Sequence, residues 1–150
     1  MMGRVDILKR NKLYWIKSRD IEAFSWENRY PHVDIGRLIA DELTRNPPSK
    51  HVSLDIDDFL RSTLRQYVAA QGKSSKGLIL ENLGILLEPD LDLNPVKLFL
   101  ELSLDAIVVL VWDHAIIDGT RFVWEEAEPG YGFVFPTHTI TNMELPDEVP

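Results

Sequence analysis

The sequence predicts an α/β fold with a mainly parallel sheet flanked by helices and an antiparallel hairpin near the C-terminus. Two apolar runs without polar alternation, at 77–80 and 106–112, have the composition of strands that are buried on both faces. Segments with helical periodicity lie before and between them, and helices that alternate with buried strands are typical of parallel sheets. The dipeptide Asp118-Gly119 favours a tight turn and predicts the hairpin.

The first half of the chain is expected to hold one strand and two helices. Residues 13–16 form a short, aromatic-rich apolar run that is typical of a strand, and residues 18–29 predict a turn or short helix. Residues 35–45 repeat apolar side chains at helical spacing before two prolines. A second helix is predicted to begin at Asp55 and end at Gly72. Its apolar face carries Ile56, Phe59, Leu60, Leu64, Tyr67 and Val68.

The second half is expected to continue as strand, helix, strand and hairpin. Asn94 and Pro95 are favoured as the N-cap and first residue of a helix, so a helix is predicted to begin there. Residues 121–125 are predicted as the returning strand of the hairpin, and residues 133–135 as a final strand. We expect the hairpin strands to extend one edge of the central sheet.

The composition predicts one domain over residues 1–150, with a frayed tail at 147–150. At 45% hydrophobic and 27% charged residues, the chain is too apolar for intrinsic disorder. Its apolar runs are far shorter than the roughly 18 residues of a membrane span, and its start has no apolar signal core. The absence of cysteine excludes disulfides and thiolate metal sites. These features predict a cytoplasmic protein that does not bind membranes.

Negative charge is concentrated in the last third of this acidic protein, whose net charge is −8. Residues 1–50 hold ten Lys and Arg against seven acids, whereas residues 101–150 hold ten acids and one base, Arg121. Because phosphate backbones are bound chiefly through Lys and Arg, direct nucleic-acid binding is not expected. The acidic third is interpreted either as a solvated face that aids solubility or as a surface that docks a basic partner.

Two pairs of polar residues follow the predicted buried strands. Glu81-Asn82 follows the strand at 77–80, and an acid in this position holds magnesium in P-loop NTPases, directly or through water. Asp113-His114 follows the next buried strand, and an imidazole beside a carboxylate is suited to general-base catalysis or metal binding. Since ligands gather at the carboxyl ends of parallel strands, we expect both pairs at one site. The structural alternatives are hydrogen bonds to loop amides and a turn.

Two further features are predicted to be structural. Gly72-Lys73-Ser74 resembles the end of a phosphate loop, but Tyr67 stands where the loop needs a glycine, and a strand follows instead of a helix. We therefore expect a turn there and no phosphate binding.

Packing of the hairpin on the sheet explains the aromatic residues of the last third, with a partner-binding patch as the alternative. These residues are Trp112, Trp124, Tyr131 and Phe133.

A longer pattern runs through the second half of the chain. An acid–Asn strand end is followed by an apolar-Pro-acid-Leu stretch, a strand ending in Trp and an Ala-Glu-Pro-Gly turn. The pattern comprises residues 80–91, 93–98, 102–103, Trp112, 118–120 and 127–130. In this order they resemble the BrxF family, small P-loop proteins encoded in type 3 BREX phage-exclusion operons. The resemblance implies a P-loop-NTPase-like sheet and a nucleotide site that includes Glu81, Asn82 and Trp112. It also implies partners among the ATPase, methyltransferase or phosphatase-like subunits of a defence system.

The glycine-rich phosphate loop that this resemblance implies is missing. Residues 17–22 follow the first predicted strand, and no glycine lies between Gly3 and Gly36. Without glycine the backbone does not readily aim several amides at one phosphate. The resemblance also implies Asp where Glu81 stands and His where Tyr131 stands. We therefore expect no catalytic residue, no metal and no bound cofactor, and only a vestigial nucleotide site.

The leading hypothesis is a non-catalytic, nucleotide-impaired subunit of a bacterial antiphage defence complex that acts by protein–protein interaction. The enzyme alternative is an active NTPase that binds ATP and Mg²⁺ through a non-standard loop or a partner-completed site. In that case Lys17 or Arg19 would point at the end of the strand at 77–80. A third hypothesis is an acidic, DNA-mimicking regulator of a basic protein. The sequence leaves a homo-oligomer open.

Overall fold

A five-stranded parallel sheet forms the centre of the protein. The computed structural model describes residues 11–22, 30–46, 52–71, 76–88, 91–124 and 132–143. Within these ranges the strands of the central sheet are β1 (Leu13–Ile16), β2 (His32–Asp34), β3 (Gly77–Glu81), β4 (Ile107–Val111) and β8 (Ile140–Asn142). They stand in the order β2-β3-β4-β1-β8, and all neighbours run parallel. The predicted α/β class is confirmed.

The two predicted buried strands lie side by side in the middle of this sheet as β3 and β4. Ile79 and Val109 are fully buried on one face, and Leu78 and Val108 are fully buried on the other. Because both faces are covered, neither strand needs polar alternation, which is why a continuous apolar run was a sufficient signal. β4 is one residue shorter at each end than the predicted run at 106–112.

Three helices pack on one face of the sheet: α1 (Ile35–Arg45), α2 (Val52–Ala69) and α3 (Pro95–Leu102). α1 and α3 begin where the sequence predicts, because each has a side chain that caps its first turn. Asp34 accepts a hydrogen bond from the Arg37 amide at 2.9 Å, and Asn94 accepts one from the Lys97 amide at 3.2 Å. Both predicted N-termini are thereby explained by local hydrogen bonds.

α2 begins at Val52 instead of the predicted Asp55, which lies in its first turn. A carboxylate stabilises the helix dipole from the first turn as well as from the N-cap, so the position of one acid does not fix the boundary. The predicted apolar face is correct at Ile56, Leu60 and Leu64, which are buried, whereas Tyr67 is 38% exposed. Among the described residues, no helix is both long enough and apolar enough to cross a membrane.

A second, antiparallel sheet of three strands contains the predicted hairpin. Its strands are β5 (Ala115–Ile117), β6 (Arg121–Val123) and β7 (Gly132–Val134), in that order. Asp118 and Gly119 both have positive φ, 55° and 73°, as expected for a hairpin turn with these residues. The prediction that these strands extend the central sheet is wrong, because they form a separate sheet whose Phe122 and Phe133 rings pack around Trp112.

β8, and not the hairpin, takes the edge of the central sheet beside β1. This strand is not predicted from the sequence, in which residues 133–135 are the last predicted strand. β2, at the opposite edge, is not predicted either. Each of these strands has three residues, of which only Val33 in β2 and Ile140 in β8 are buried, so neither has a readable pattern. Predictions at residues 72–74, 125–131 and 147–150 lie outside the described residues.

Candidate functional site

The order of the strands opens a crevice between the ends of β1 and β4. The chain that leaves β1 leads to β2 at one edge of the sheet, whereas the chain that leaves β4 leads towards β8 at the other edge. Ligands bind in α/β sheets where neighbouring connections diverge in this way, outside the carboxyl ends of the strands. Ile16 is paired with Val111, so the residues that follow β1 and β4 face one another across the crevice.

A cleft of about 260 Å³ lies at this position. It brings together all the strand-end residues that the sequence analysis singled out. Its described lining consists of Ser18, Glu81, Asn82, Leu83, Gly84, Val111, Trp112, Asp113, His114 and Trp124. The cleft is smaller than the roughly 300–1,000 Å³ of typical small-molecule pockets. Its described lining holds two carboxylates and neither lysine nor arginine.

Asp113 binds the main chain that follows β1. The Ser18 amide, at the start of a short 3₁₀ helix (Ser18–Asp20), donates a hydrogen bond to Asp113 Oδ1 at 2.8 Å. Burial opposes ionisation of Asp113, but hydrogen bonds from Ser18 and the charges of Lys17 and His114 outweigh it, so the pKa of this carboxyl is lowered. Asp113 therefore presents a negative charge to the Ser18 amide, where a phosphate loop would hold the phosphate of its ligand.

Glu81, the acid at the end of β3, is paired with a histidine on the neighbouring strand. His32 Nδ1 lies 2.7 Å from Glu81 Oε2, and the two side chains are 37% and 34% exposed. In the pairing of β2 with β3, Glu81 is opposite Asp34 and His32 is opposite Ile79, so the contact between His32 and Glu81 is diagonal. In the described part of the chain, no group of three or more His, Asp or Glu side chains is placed to hold a metal ion. The sequence analysis did not connect His32 with this site.

Asn82 links the end of β3 to the start of α1. It adopts the left-handed conformation, with φ 56° and ψ 58°, which asparagine tolerates better than most residues. Its Nδ2 donates a hydrogen bond to Asp34 Oδ1 at 2.9 Å, the same oxygen that caps α1. Gly36 allows this approach, because a Cβ there would lie 2.2 Å from Asn82 Nδ2. The amide side chain therefore stabilises the loop and helix start.

Trp112 is an interior residue that forms the floor of the cleft. It is 3% exposed, and its indole nitrogen donates a hydrogen bond to the Ala115 carbonyl at 3.3 Å. Its ring packs edge-on against His114 at 5.2 Å and against Phe133 at 5.4 Å. These contacts support the packing interpretation of Trp112 and Phe133. Tyr131 lies outside the described residues.

Trp124 closes the cleft on the side of the second sheet. Its ring lies 5.4 Å from the His114 ring and packs on Gly84, where a Cβ would come within 2.1 Å of the indole. Its indole nitrogen is buried and has no hydrogen-bond partner among the described residues. The role of Gly84 is not predictable from the sequence, since only the approach of Trp124 in three dimensions explains the glycine.

The two cations that would mark an NTPase site do not line the cleft. The Lys17 ammonium lies 5.8 Å from the centre of the Trp15 ring, in a cation–π contact. The Arg19 side chain is 81% exposed and lies 4.0 Å from Asp20. Comparison of the chain with protein-family models, curated proteins and solved structures finds no match.

We predict that the pairing of Asp113 with Ser18 stabilises the fold in a pH-dependent way. The pKa of Asp113 is lower in the folded state than the roughly 3.9 of an unfolded chain, so the stabilisation is present above that value and disappears as the pH falls through the folded pKa. At pH 7, Asp113→Asn should reduce the free energy of unfolding by about 0.5–1 kcal/mol, as measured by urea denaturation.

The matched control is Asp105→Asn, which removes the same charge from an exposed turn residue. Its free energy of unfolding at pH 7 should change by less than about 0.5 kcal/mol. If Asp113→Asn lowered the free energy of unfolding by the same amount at pH 7 and at pH 2.5, this would contradict the role of the ionised carboxylate.

Proposed function

We propose that this chain is a non-catalytic, nucleotide-impaired P-loop-like subunit of a bacterial antiphage defence complex, and that it acts by binding other proteins. The observation that carries the nucleotide-impaired part is the hydrogen bond from the Ser18 amide to Asp113. In a phosphate-binding loop, the amides that follow the first strand are left for the ligand. Here the carboxylate of Asp113, an exposed residue of the same chain, accepts the hydrogen bond at this position.

The loop after β1 supports the same proposal. Residues 17–22 contain no glycine, and the described backbone turns directly into the 3₁₀ helix at Ser18. Only the first amides of so short a helix are free of internal hydrogen bonds, and the Asp20 amide already donates to the Lys17 carbonyl at 2.9 Å. Such a loop does not supply the ring of convergent amides that a triphosphate needs.

The electrostatics of the cleft favour partners other than nucleotides. Glu81 and Asp113 contribute negative charge to its described lining, which contains neither Lys17 nor Arg19, although the charge of Lys17 acts on Asp113 from outside it. A triphosphate would be repelled by both carboxylates unless a magnesium ion or a partner's cation compensated. The NTPase alternative needs such compensation from outside the described part of the chain.

The assignment to a defence complex rests on the resemblance of residues 78–131 to the BrxF family. The pattern of that resemblance contains Glu81, Asn82 and Trp112, and these residues adjoin one cleft. The side chains of Glu81, Asn82 and Trp112 are hydrogen-bonded to His32, Asp34 and Ala115, which supports a structural role for them. On this proposal the fold is retained as a scaffold for contacts with the other subunits.

We predict that the purified chain does not bind ATP with Mg²⁺ at micromolar concentrations. Isothermal titration calorimetry should show only heats of dilution, because the Ser18 amide is occupied and the cleft is acidic. Micromolar affinity that Glu81→Gln abolishes would contradict the proposal and favour an NTPase. Glu88→Gln, which neutralises an exposed acid outside the cleft, is the control for a general effect of charge.

We also predict that the tagged chain, expressed from its native locus, copurifies with an ATPase, a methyltransferase or a phosphatase-like protein. Quantitative mass spectrometry against an untagged strain measures the enrichment. Recovery of the chain with metabolic enzymes alone, encoded by its neighbouring reading frames, would contradict the defence assignment while leaving the result on nucleotide binding unchanged.

A further inference from the structure

β7 is an edge strand of the second sheet, with hydrogen-bonding groups on its outer side. It is paired on one side only, with β6. The Phe135 amide donates to the Thr120 carbonyl at 3.0 Å, which fixes the side of the strand that faces β6. Because main-chain groups alternate along a strand, those of Gly132 and Val134 point away from β6. Among the described residues, none pairs with them on that side.

A groove of about 450 Å³ runs beside this edge. One wall is β7, and the other consists of the end of a second 3₁₀ helix (Leu83–Leu87) and the start of α3. Apolar side chains from both walls line it, including Leu87, Val96 and Phe133. A strand edge that faces a helical wall across a groove is the geometry in which extended peptides bind by strand addition.

Val134 makes this edge unusual for a surface that is exposed to solvent. It is 66% exposed, more than any other large apolar side chain in the described part of the chain. Proteins ordinarily protect a free strand edge with charged residues, proline or a covering segment, since an apolar edge recruits further strands. Val134 instead presents an apolar, β-branched side chain, which favours the addition of another strand.

The charge of the groove indicates the chemistry of the strand that fits it. Glu88 and Asp92 are exposed and line the groove, whose described lining contains neither lysine nor arginine. Arg121, the one base of the last third, lies on β6 opposite Val134 and does not line the groove. The complementary partner is basic.

We propose that the edge of β7 and its groove bind an extended, basic segment of a partner protein as a fourth strand of the second sheet. Main-chain hydrogen bonds to Gly132 and Val134 hold the segment, and its lysines or arginines face Glu88 and Asp92. This inference rests on the proposed function as a protein-binding subunit, and it names the surface and the kind of partner. The surface is separate from the cleft at Asp113.

The test measures the binding of labelled nine-residue peptides to the full chain by fluorescence anisotropy. The probe alternates valine and lysine, and two comparison peptides alternate valine with glutamate or carry N-methyl groups on alternate residues of the probe. The probe should bind, whereas both comparison peptides should bind at least about tenfold more weakly, through charge repulsion or loss of main-chain donors.

Two matched variants locate the site. Val134→Lys should weaken binding of the probe at least about tenfold, because it places a like charge at the edge. Ile117→Lys makes the same change at a 43% exposed residue of β5, the opposite edge of the same sheet, and should alter binding less than about twofold. Circular dichroism of both variants controls for folding.

Absence of probe binding, equal binding of the glutamate peptide, or equal loss in both variants would each overturn the inference. These outcomes are distinguishable from failure of the proposed function. ATP binding by a chain that still binds the probe at β7 overturns the nucleotide-impaired proposal alone. If the calorimetric titration shows no ATP binding and the probe does not bind either, the edge proposal alone is overturned.

Discussion

The parallel pairing of β1 with β4 determines how the candidate site is built. Since Ile16 is opposite Val111, the chain segments that leave the two strands meet at one edge of the sheet. The Trp112 amide extends the pairing by donating to the Ile16 carbonyl at 3.0 Å. This contact places Asp113 beside Ser18, and Trp112 beneath the cleft. Both the position of the Asp113 carboxylate and the aromatic floor follow from the alignment of two strands.

Magnitudes explain why one carboxylate matters in so small a site. Asp113 is exposed, so its hydrogen bond with the Ser18 amide contributes only about 0.5–1 kcal/mol, but the bond is already made. A phosphate that replaced it would gain no more from that amide. It would also approach like charges, at a cost of about 1–4 kcal/mol per pair of unit charges near 4 Å. A glycine-rich loop offsets such costs with several amides, and residues 17–22 lack glycine.

Local signals made much of the fold predictable, whereas the site depends on long-range contacts. α1 was predicted from apolar side chains at helical spacing before two prolines, and α3 from its N-cap Asn94 and the proline that follows it. β2 and β8 each bury a single apolar side chain, so no periodicity distinguishes them from loops. Parallel topology predicted that the ends of β3 and β4 would share one site. The contact of Asp113 with Ser18 joins residues 95 positions apart, which no local pattern reports.

The central claim is that the Ser18 amide is already bound to Asp113 and is closed to phosphate. Two-dimensional ¹H–¹⁵N NMR of the folded chain tests it directly through the chemical shift of that amide. The resonance should titrate with an inflection below about 3.9, following the lowered pKa of Asp113, and should not move when ATP and Mg²⁺ are added at neutral pH. A Ser18 amide whose chemical shift does not change as Asp113 titrates, but does change on addition of ATP, would contradict the account.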